Sequence, residues 1–212
     1  MTRLSRDQLA ARIALDIPDG SYVNLGIGIP TLVADHVPAG RELIFHTENG
    51  MLGMGAAAAD HNVDEDLINA GKLYITETAG CSFFDHSESF AMIRGGHLDY
   101  CVIGGYQVSS RGDLANWRTN SSHVIPGVGG GMGLAAGARN LFVAMDLFTK
   151  DGECKLTAEC SYPLTAASCV DRVYTNHGVF EPNGVGFDVL ELDSDLTFDH
   201  LAERCEVPLT LR

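Results

Sequence analysis

The stretch IFHTENGMLGMG contains the residue best suited to chemistry, Glu48, which directly follows a short apolar segment. Gly50, Gly53 and Gly55 come just after it. A carboxylate at the end of a strand, with small residues beside it, is open to a bulky substrate and can act as a nucleophile. The same residue types also fit a surface loop or the first turn of a helix. Residue types alone therefore leave both interpretations of Glu48 open.

Many of the 24 glycines lie where predicted strands end. In open α/β sheets, ligands bind at the carboxyl ends of the strands, where a missing Cβ atom lets backbone N–H groups approach them. The glycines concerned are Gly26, Gly28, Gly50, Gly53, Gly55, Gly95, Gly96, Gly104, Gly105, Gly127, Gly129, Gly130, Gly131 and Gly133. We therefore expect loops built around a ligand, with residues 127–137 as a functional loop.

Nucleotide-binding motifs do not account for these glycines. A dinucleotide fingerprint, G-x-G-x-x-G, needs a third glycine at a fixed spacing within a strand–turn–helix unit. Thr31 and Met132 occupy that position in GIGIPT and GVGGGM, and GMGAAA, ending at Ala58, lacks the third glycine. No P-loop sequence ending in Gly-Lys-Ser or Gly-Lys-Thr occurs either. A phosphate-cradling nucleotide enzyme is therefore disfavoured.

The charge balance and the hydropathy exclude other classes of function. The 212-residue chain has 14 basic and 28 acidic residues, a formal charge of −14, so it would repel a nucleic-acid backbone. No run of about 18 uncharged apolar residues is present, which excludes a membrane-spanning helix. Arg3, Arg6, Asp7, Arg12 and Asp16 interrupt the apolar positions of the N-terminus. We therefore expect no secretory signal and a cytoplasmic protein.

The six cysteines are scattered, without a C-x-x-C pair or a histidine at zinc-finger spacing. We expect reduced thiols, most of them small residues of the core. We also expect no bound metal, because no group of His, Asp or Glu shows ligand spacing. The cysteines are Cys81, Cys101, Cys154, Cys160, Cys169 and Cys205.

The apolar pattern predicts one α/β domain over residues 1–212. A helix over residues 4–17 begins with a capping box of Ser5 and Gln8, and a strand over residues 22–25 leads through GIGIP into a second helix. Further strands are predicted at residues 43–46, 73–78, 100–103, 141–145, 170–174 and 187–192, before a last helix that carries Phe198, Leu201, Ala202 and Cys205. Such alternation is typical of an open, three-layer fold with a mainly parallel sheet flanked by helices.

Several motifs, in order, resemble the β-type subunit of family I CoA-transferases, which transfer CoA between carboxylic acids. They are NLGIGIPT (24–31), TENGMLGMG (47–55), SFAMIRGGHLD (89–99), GDLANW (112–117), PGVGGGMGLAAGA (126–138) and AECSYPLT (158–165). The stretch GGHLDYCVIGGYQVSSRGDLANWRT is closer to the 3-oxoadipate (β-ketoadipate) branch than to the acetoacetate branch. The resemblance covers nearly the whole chain and implies the CoA-transferase (NagB/RpiA/CoA-transferase-like) fold.

The resemblance also implies roles for individual residues. Glu48 matches the family's nucleophile in its Glu-Asn-Gly motif, and Asn24 matches an active-site asparagine. Gly129 and Gly130 match the backbone that helps to form an oxyanion hole. Candidates close to substrate or CoA are Gly26, Gly28, Asn49, Gly50 and Arg94.

Two of these expectations are open to other interpretations. Arg94 could pair with a substrate carboxylate or a CoA phosphate, but an arginine at the end of a helix also interacts with the helix dipole without any ligand. The glycine loop departs from the family pattern, because Gly131 and Gly133 stand where Ala and Asp are expected. Contacts that the family makes through that Asp cannot be transferred to this chain.

The activity implied by the resemblance is transfer of CoA from succinyl-CoA to a 3-oxo acid, most specifically 3-oxoadipate, in aromatic-compound breakdown. A glutamyl-CoA thioester on Glu48 would be the intermediate, and CoA would enter as part of the substrate rather than as a fixed cofactor. The implied partner is a homologous α-type subunit, in a heterodimer or a heterotetramer. The alternatives are acetoacetate or another short-chain acid as acceptor, a catalytically silent subunit, and a hydrolase.

Overall fold

The computed structural model describes residues 3–120, 126–193 and 196–212, which form two sheets and four α-helices. The main sheet contains β1 (Tyr22–Leu25), β2 (Ile44–Thr47), β3 (Met51–Ala57), β4 (Ile75–Phe83), β5 (Tyr100–Gly104), β8 (Asn140–Met145), β10 (Arg172–Thr175), β11 (Gly178–Pro182), β12 (Phe187–Leu192) and β13 (Leu209–Leu211). The small sheet contains β6 (Gln107–Ser109), β7 (Leu114–Ala115) and β9 (Leu156–Thr157). The helices are α1 (Arg6–Asp16), α2 (His86–Arg94), α3 (Gly131–Gly137) and α4 (Phe198–Arg204).

The strands of the main sheet follow the order β13-β12-β11-β10-β8-β5-β1-β2-β3-β4. The five central strands from β10 to β2 are parallel, and β3, β4 and β11 join them through antiparallel pairs. The prediction of a mainly parallel α/β sheet is confirmed. The antiparallel hairpins at both sides make the sheet mixed.

Each face of the main sheet is covered by its own apolar layer. Successive residues of β5 point to opposite faces, so Val102 belongs to the cluster under α1 and Ile103 to the cluster under α2 and α3. Leu9 and Ile13 of α1 pack into the first cluster, and Leu201 of α4 packs into the second. Helices, sheet and helices therefore form the three layers expected from the sequence.

The predicted start of α1 is confirmed in detail. The side chain of Ser5 accepts a hydrogen bond from the Gln8 backbone N–H (3.2 Å), and the Gln8 side chain accepts one from the Ser5 N–H (2.8 Å). This capping box satisfies two N–H groups that the helix itself leaves without partners. The segment after Gly28 differs, since it forms a 3₁₀ helix (Ile29–His36) with Pro30 in its first turn.

The glycine-dense segment 127–137 is not the continuous loop that was predicted, because its second half forms α3. Leu134 and Ala135 of this helix are buried, and their burial stabilises the helix despite the low helix propensity of glycine. A side chain at position 137 would collide with the carbonyl of Ile93. Glycine there lets α3 pack closely against α2.

The prediction that all six cysteines are reduced is wrong for one pair. Cys154 and Cys205 form a disulfide with a Cα–Cα distance of 5.3 Å. They are 51 residues apart in sequence, and the end of α4 brings Cys205 to the loop that carries Cys154. Cys81, Cys101, Cys160 and Cys169 are free thiols. None of the helices in the described residues has the length and apolar character needed to cross a membrane.

A partly buried polar network joins α1 to the sheet. Asp16 accepts hydrogen bonds from Arg12 (2.6 Å), from Arg172 (2.8 Å) and from the hydroxyl of Tyr174 (2.7 Å). Burial by itself would raise the pKa of Asp16, but the hydrogen bonds from Arg12 and Tyr174 outweigh burial and hold the pKa below its ordinary value. The carboxylate at the end of α1 is thus charged and held by donors from β10.

Replacing Tyr174 by Phe tests this network. The variant removes the hydroxyl that donates a hydrogen bond to one carboxylate oxygen of Asp16. The ring of Tyr174 is fully buried, so water does not readily replace this donor. We expect the free energy of unfolding to fall by about 1–3 kcal/mol in chemical denaturation. Tyr22→Phe, at a ring that is 42% exposed, is the matched control and should change it by less than about 0.5 kcal/mol. Equal effects of the two variants would contradict this account.

Candidate active site

Glu48 lies in a tight hairpin turn that joins β2 to the antiparallel strand β3. The N–H of Gly50 donates to the carbonyl of Thr47 (3.1 Å), which closes the turn. Gly50 has a φ of +118°, and a side chain there would collide with the carbonyl of Phe84. Only glycine fits such a position. Gly50 therefore shapes the turn that presents Glu48.

The carboxylate of Glu48 packs against the glycine loop that precedes α3. Its Oε2 atom is buried and has no hydrogen-bond partner among the described residues. A Cβ atom at Gly130 would overlap this oxygen, so the missing side chain provides the space that the carboxylate occupies. Gly129, with a φ of +60°, turns the backbone just before this contact. The loop and the carboxylate thus fit together only because residue 130 is glycine.

Burial raises the pKa of Glu48 above its ordinary value, and the nearby imidazole of His86 partly offsets that effect. Nδ1 of His86 lies 3.1 Å from the backbone carbonyl of Glu48. A carboxylate that has lost solvating water is costly to hold in its charged form. It is also a stronger nucleophile than a solvated one, as a reacting carboxylate requires.

A buried chain of hydrogen bonds supports β2 just before Glu48. Nδ2 of Asn24 lies 3.1 Å from Nδ1 of His46, and Nε2 of His46 lies 3.1 Å from the hydroxyl of Ser89. Burial lowers the pKa of His46 to about 4, so its ring is neutral at neutral pH. A neutral ring with its proton on Nε2 accepts from Asn24 and donates to Ser89, whose hydroxyl donates to the Thr47 carbonyl (3.4 Å).

Two cavities adjoin Glu48 in the described part of the chain, and Glu48, Gly129 and Gly130 line both. The first, of about 570 Å³, contains Lys155 and is called the Lys155 cavity. The second, of about 650 Å³, contains Arg94 and is called the Arg94 cavity. Both volumes lie in the range of small-molecule sites. The carboxylate therefore stands between two spaces that could hold different parts of a ligand.

Six of the nine site residues predicted from the sequence line these cavities. Gly26 lines the Lys155 cavity, Asn49 and Arg94 line the Arg94 cavity, and Glu48, Gly129 and Gly130 line both. The other three are Asn24, Gly28 and Gly50. The amide of Asn24 is buried against His46, and Gly50 lies within the turn. The predicted roles of all nine, as nucleophile, active-site loop or substrate-proximal residue, stay predictions.

Arg94 shows both of its predicted features. It is the last residue of α2, where its charge complements the helix dipole, and its guanidinium lies 5.5 Å from the ring centre of Phe90. It is also exposed and lines the Arg94 cavity. The structure therefore leaves both interpretations of Arg94 open.

Sequence reasoning missed three charged or titratable residues of the site, Asp146, Lys155 and His86. Asp146 directly follows the apolar strand β8, as Glu48 follows β2, and this pattern could have indicated it. Lys155 stands between Cys154 and Leu156, which is an unusually apolar setting for a lysine. For His86 the sequence offers no comparable signal.

Comparison with known proteins identifies the chain. The profile of the family described as Coenzyme A transferase matches residues 6–192. The chain belongs to this family. It is 53% identical over 207 residues to the B-type subunit of 3-oxoadipate CoA-transferase of Pseudomonas putida, a match that covers 98% of this chain and 97% of the relative. It is 44% identical over 207 residues to the B-type subunit of succinyl-CoA:3-ketoacid coenzyme A transferase of Helicobacter pylori, with 98% and 99% covered. The prediction of a β-type CoA-transferase subunit is confirmed.

Solved structures support the fold. The acyl-CoA transferase YdiF of Escherichia coli O157:H7 superposes with a TM-score of 0.72 at 20% identity and covers 99% of this chain, which spans 42% of the YdiF chain. Glutaconate coenzyme A-transferase of Acidaminococcus fermentans gives a TM-score of 0.68 at 15% identity, with 99% and 87% covered. The decarboxylase AibA/AibB gives 0.69 at 19% identity, with 97% and 85% covered. At such identities the likeness shows the fold alone.

Gly130→Ala tests the packing of the carboxylate against the glycine loop. The added methyl group would overlap Oε2 of Glu48 and displace the carboxylate. We expect the rate of CoA transfer by the complex with its partner subunit to fall about 100-fold, as for other small misplacements of reacting groups. Gly131→Ala is the control, because its Cβ would meet nothing closer than 3.6 Å. An unimpaired Gly130→Ala enzyme would contradict the proposed fit.

Glu48→Gln tests the cost of burying the charge. Unfolded Glu48 ionises near its ordinary pKa of 4.5 and folded Glu48 at a higher pH, so native stability is lost as pH rises through this interval. We expect the variant to have the higher Tm at neutral pH, by about 2–4 °C per kcal/mol recovered. The difference should shrink as pH falls to 4.5. The exposed Glu65→Gln is the control, and a pH-independent gain would rule out the buried charge as its source.

Proposed function

We propose that this chain is the β-type component of an enzyme that transfers CoA from succinyl-CoA to 3-oxoadipate, through a glutamyl-CoA thioester on Glu48. The observation that carries the proposal is the position of the Glu48 carboxylate, which is partly desolvated, lies against Gly130 and adjoins two cavities at once. An acyl group and a CoA thiol must reach the same carboxylate in turn. A carboxylate that lies between two cavities can be reached by the acyl group and by the CoA thiol.

The proposed reaction begins when a carboxylate oxygen of Glu48 attacks the thioester carbonyl of succinyl-CoA. The tetrahedral intermediate expels CoA thiolate and leaves a mixed anhydride between Glu48 and succinate. The thiolate then attacks the Glu48 carbonyl, which releases succinate and leaves CoA on Glu48 as a thioester. The acceptor acid reverses these steps, so the product is its CoA ester and Glu48 is regenerated as a carboxylate.

Each tetrahedral intermediate carries a negative oxygen that needs hydrogen-bond donors. The backbone N–H groups of Gly129 and Gly130 have no acceptor among the described residues, and both glycines line the cavities beside Glu48. Removing one well-aligned donor from such a site typically costs about 2.7–4 kcal/mol of transition-state stabilisation. These two N–H groups are therefore our candidates for the oxyanion hole.

A partner subunit would complete the site. The relatives named above are B-type subunits, a designation that implies an A-type counterpart. Ile27 and Tyr106 line the Lys155 cavity but are 69% and 42% exposed in this chain. Exposed apolar side chains beside a reaction site are typical of surfaces that another chain covers. Closure by an α-type partner, in a heterodimer or heterotetramer, would also protect the anhydride from water.

The choice of 3-oxoadipate as acceptor rests on the similarity to the Pseudomonas putida relative, at 53% identity. The Helicobacter pylori relative, named for 3-ketoacids, is 44% identical, and the beta subunit of acetate CoA-transferase of Escherichia coli is 38% identical over 203 residues. Acetoacetate or another short-chain acid is therefore the second candidate acceptor. Initial rates with 3-oxoadipate, acetoacetate and acetate, each with succinyl-CoA as donor, separate the candidates.

The covalent mechanism is tested by intact mass. The chain, co-expressed with its α-type partner, is incubated with succinyl-CoA, and one sample is then reduced with borohydride. We expect a mass increase of one CoA, and reduction of the same side chain to an alcohol, both localised to Glu48. Glu48→Gln should show neither change and should lose CoA transfer almost completely.

The other outcomes distinguish the rival functions. Transfer without any modification of Glu48 would refute the assignment of the nucleophile. A complex that binds the CoA ester but neither acylates nor transfers would indicate a catalytically silent subunit. Net release of CoA in the absence of an acceptor acid would indicate a hydrolase.

A further inference from the structure

Lys155 is held in the wall of the Lys155 cavity by its backbone. Its N–H donates to the carbonyl of Leu147 (2.9 Å), and its carbonyl accepts from the N–H of Val108 (3.0 Å). These two hydrogen bonds fix residue 155 between the end of β8 and the small sheet. The side chain therefore enters the cavity from the carboxyl end of a central parallel strand, where α/β folds bind ligands.

The amino group of Lys155 has no close anionic partner in the described residues. It is half-buried, and no described residue forms a hydrogen bond or an ion pair with it. Burial lowers the pKa of Lys155, and the charge of Asp146 acts in the opposite direction. A cation without a close partner in such a setting is costly, and an anionic ligand would offset that cost.

Lys155 is also the one basic side chain among the described residues that line its cavity. Glu48 and Asp146, the two carboxylates of the same lining, would each repel an anion. The chain as a whole has a formal charge of −14, so its overall field does not attract anions either. An anionic group entering this cavity would therefore be oriented towards Lys155.

We propose that Lys155 binds an anionic group of the substrate and thereby orients the thioester towards Glu48. The group is either the distal carboxylate of a dicarboxylic acyl chain or a phosphate of CoA, and both offer charge-assisted hydrogen bonds to an ammonium. The inference rests on the proposed function, because it assumes that acyl-CoA reacts at Glu48. Lys155 itself makes and breaks no bond, so its role is binding and positioning.

The test compares three thioesters on the complex with its partner subunit. Succinyl-CoA has both anionic groups, butyryl-CoA lacks the distal carboxylate, and the N-acetylcysteamine thioester of succinate lacks the CoA phosphates. The measured quantity is the second-order rate constant for covalent labelling of Glu48. Lys155→Met is compared with Lys155→Arg, which keeps the charge, and with Lys150→Met, which removes an exposed lysine from a nearby loop.

We expect Lys155→Met to slow labelling by succinyl-CoA about tenfold or more, Lys155→Arg to recover part of the rate, and Lys150→Met to have no effect. Slow labelling by both succinyl thioesters, with butyryl-CoA unaffected, identifies the distal carboxylate. Slow labelling by succinyl-CoA and butyryl-CoA, with the N-acetylcysteamine thioester unaffected, identifies a phosphate of CoA. Equal losses for all three thioesters, or no loss, would overturn the role of Lys155. Absence of labelling in the native complex would instead overturn the function of Glu48.

Discussion

The Oε2 atom of Glu48 can lie in its buried position only because residue 130 has no side chain. This one steric condition links two segments that are more than 80 residues apart, the hairpin turn after β2 and the loop before α3. The turn needs Gly50, and β2 is held in place by the neutral His46 between Asn24 and Ser89. The site is thus built around a carboxylate that is partly buried and has one oxygen out of contact with solvent. Burial of the charge lowers stability, and it would also make the proposed nucleophile more reactive.

Sequence patterns predicted the elements whose determinants are local. The capping box at Ser5 and the strands Tyr22–Leu25 and Phe187–Leu192 are present as expected, because side-chain hydrogen bonds to the nearest backbone and alternation of burial act over a few residues. The helix α3 was not predicted, since glycine lowers helix propensity and the compensating contact is with α2, some 40 residues earlier in the chain. The pairing of Cys154 with Cys205 was missed for the same reason, because only the tertiary fold brings them together.

The site shows the same division between local and tertiary information. Glu48 and the glycines beside it carry a motif that a single sequence reveals, and the structure brings Glu48 into contact with Gly130. Lys155 is 107 positions further along the chain and reaches the same cavity only through the parallel arrangement of β8 and its neighbours. The sequence thus indicated the candidate nucleophile, whereas the electrostatic surroundings of that residue had to come from the fold.

One of the two edge strands of the main sheet, β4, has a practical consequence for handling the protein. Its nine residues are mostly exposed and end at Phe83, which is 60% exposed, and among the described residues β4 pairs with β3 on one side alone. An open strand edge is a template on which another chain can add a strand, and it promotes aggregation. Gly80, with a φ of +86°, and the register shifts between β3 and β4 interrupt this edge without removing it. Production of the chain together with a partner that covers this edge will therefore favour soluble, monodisperse material.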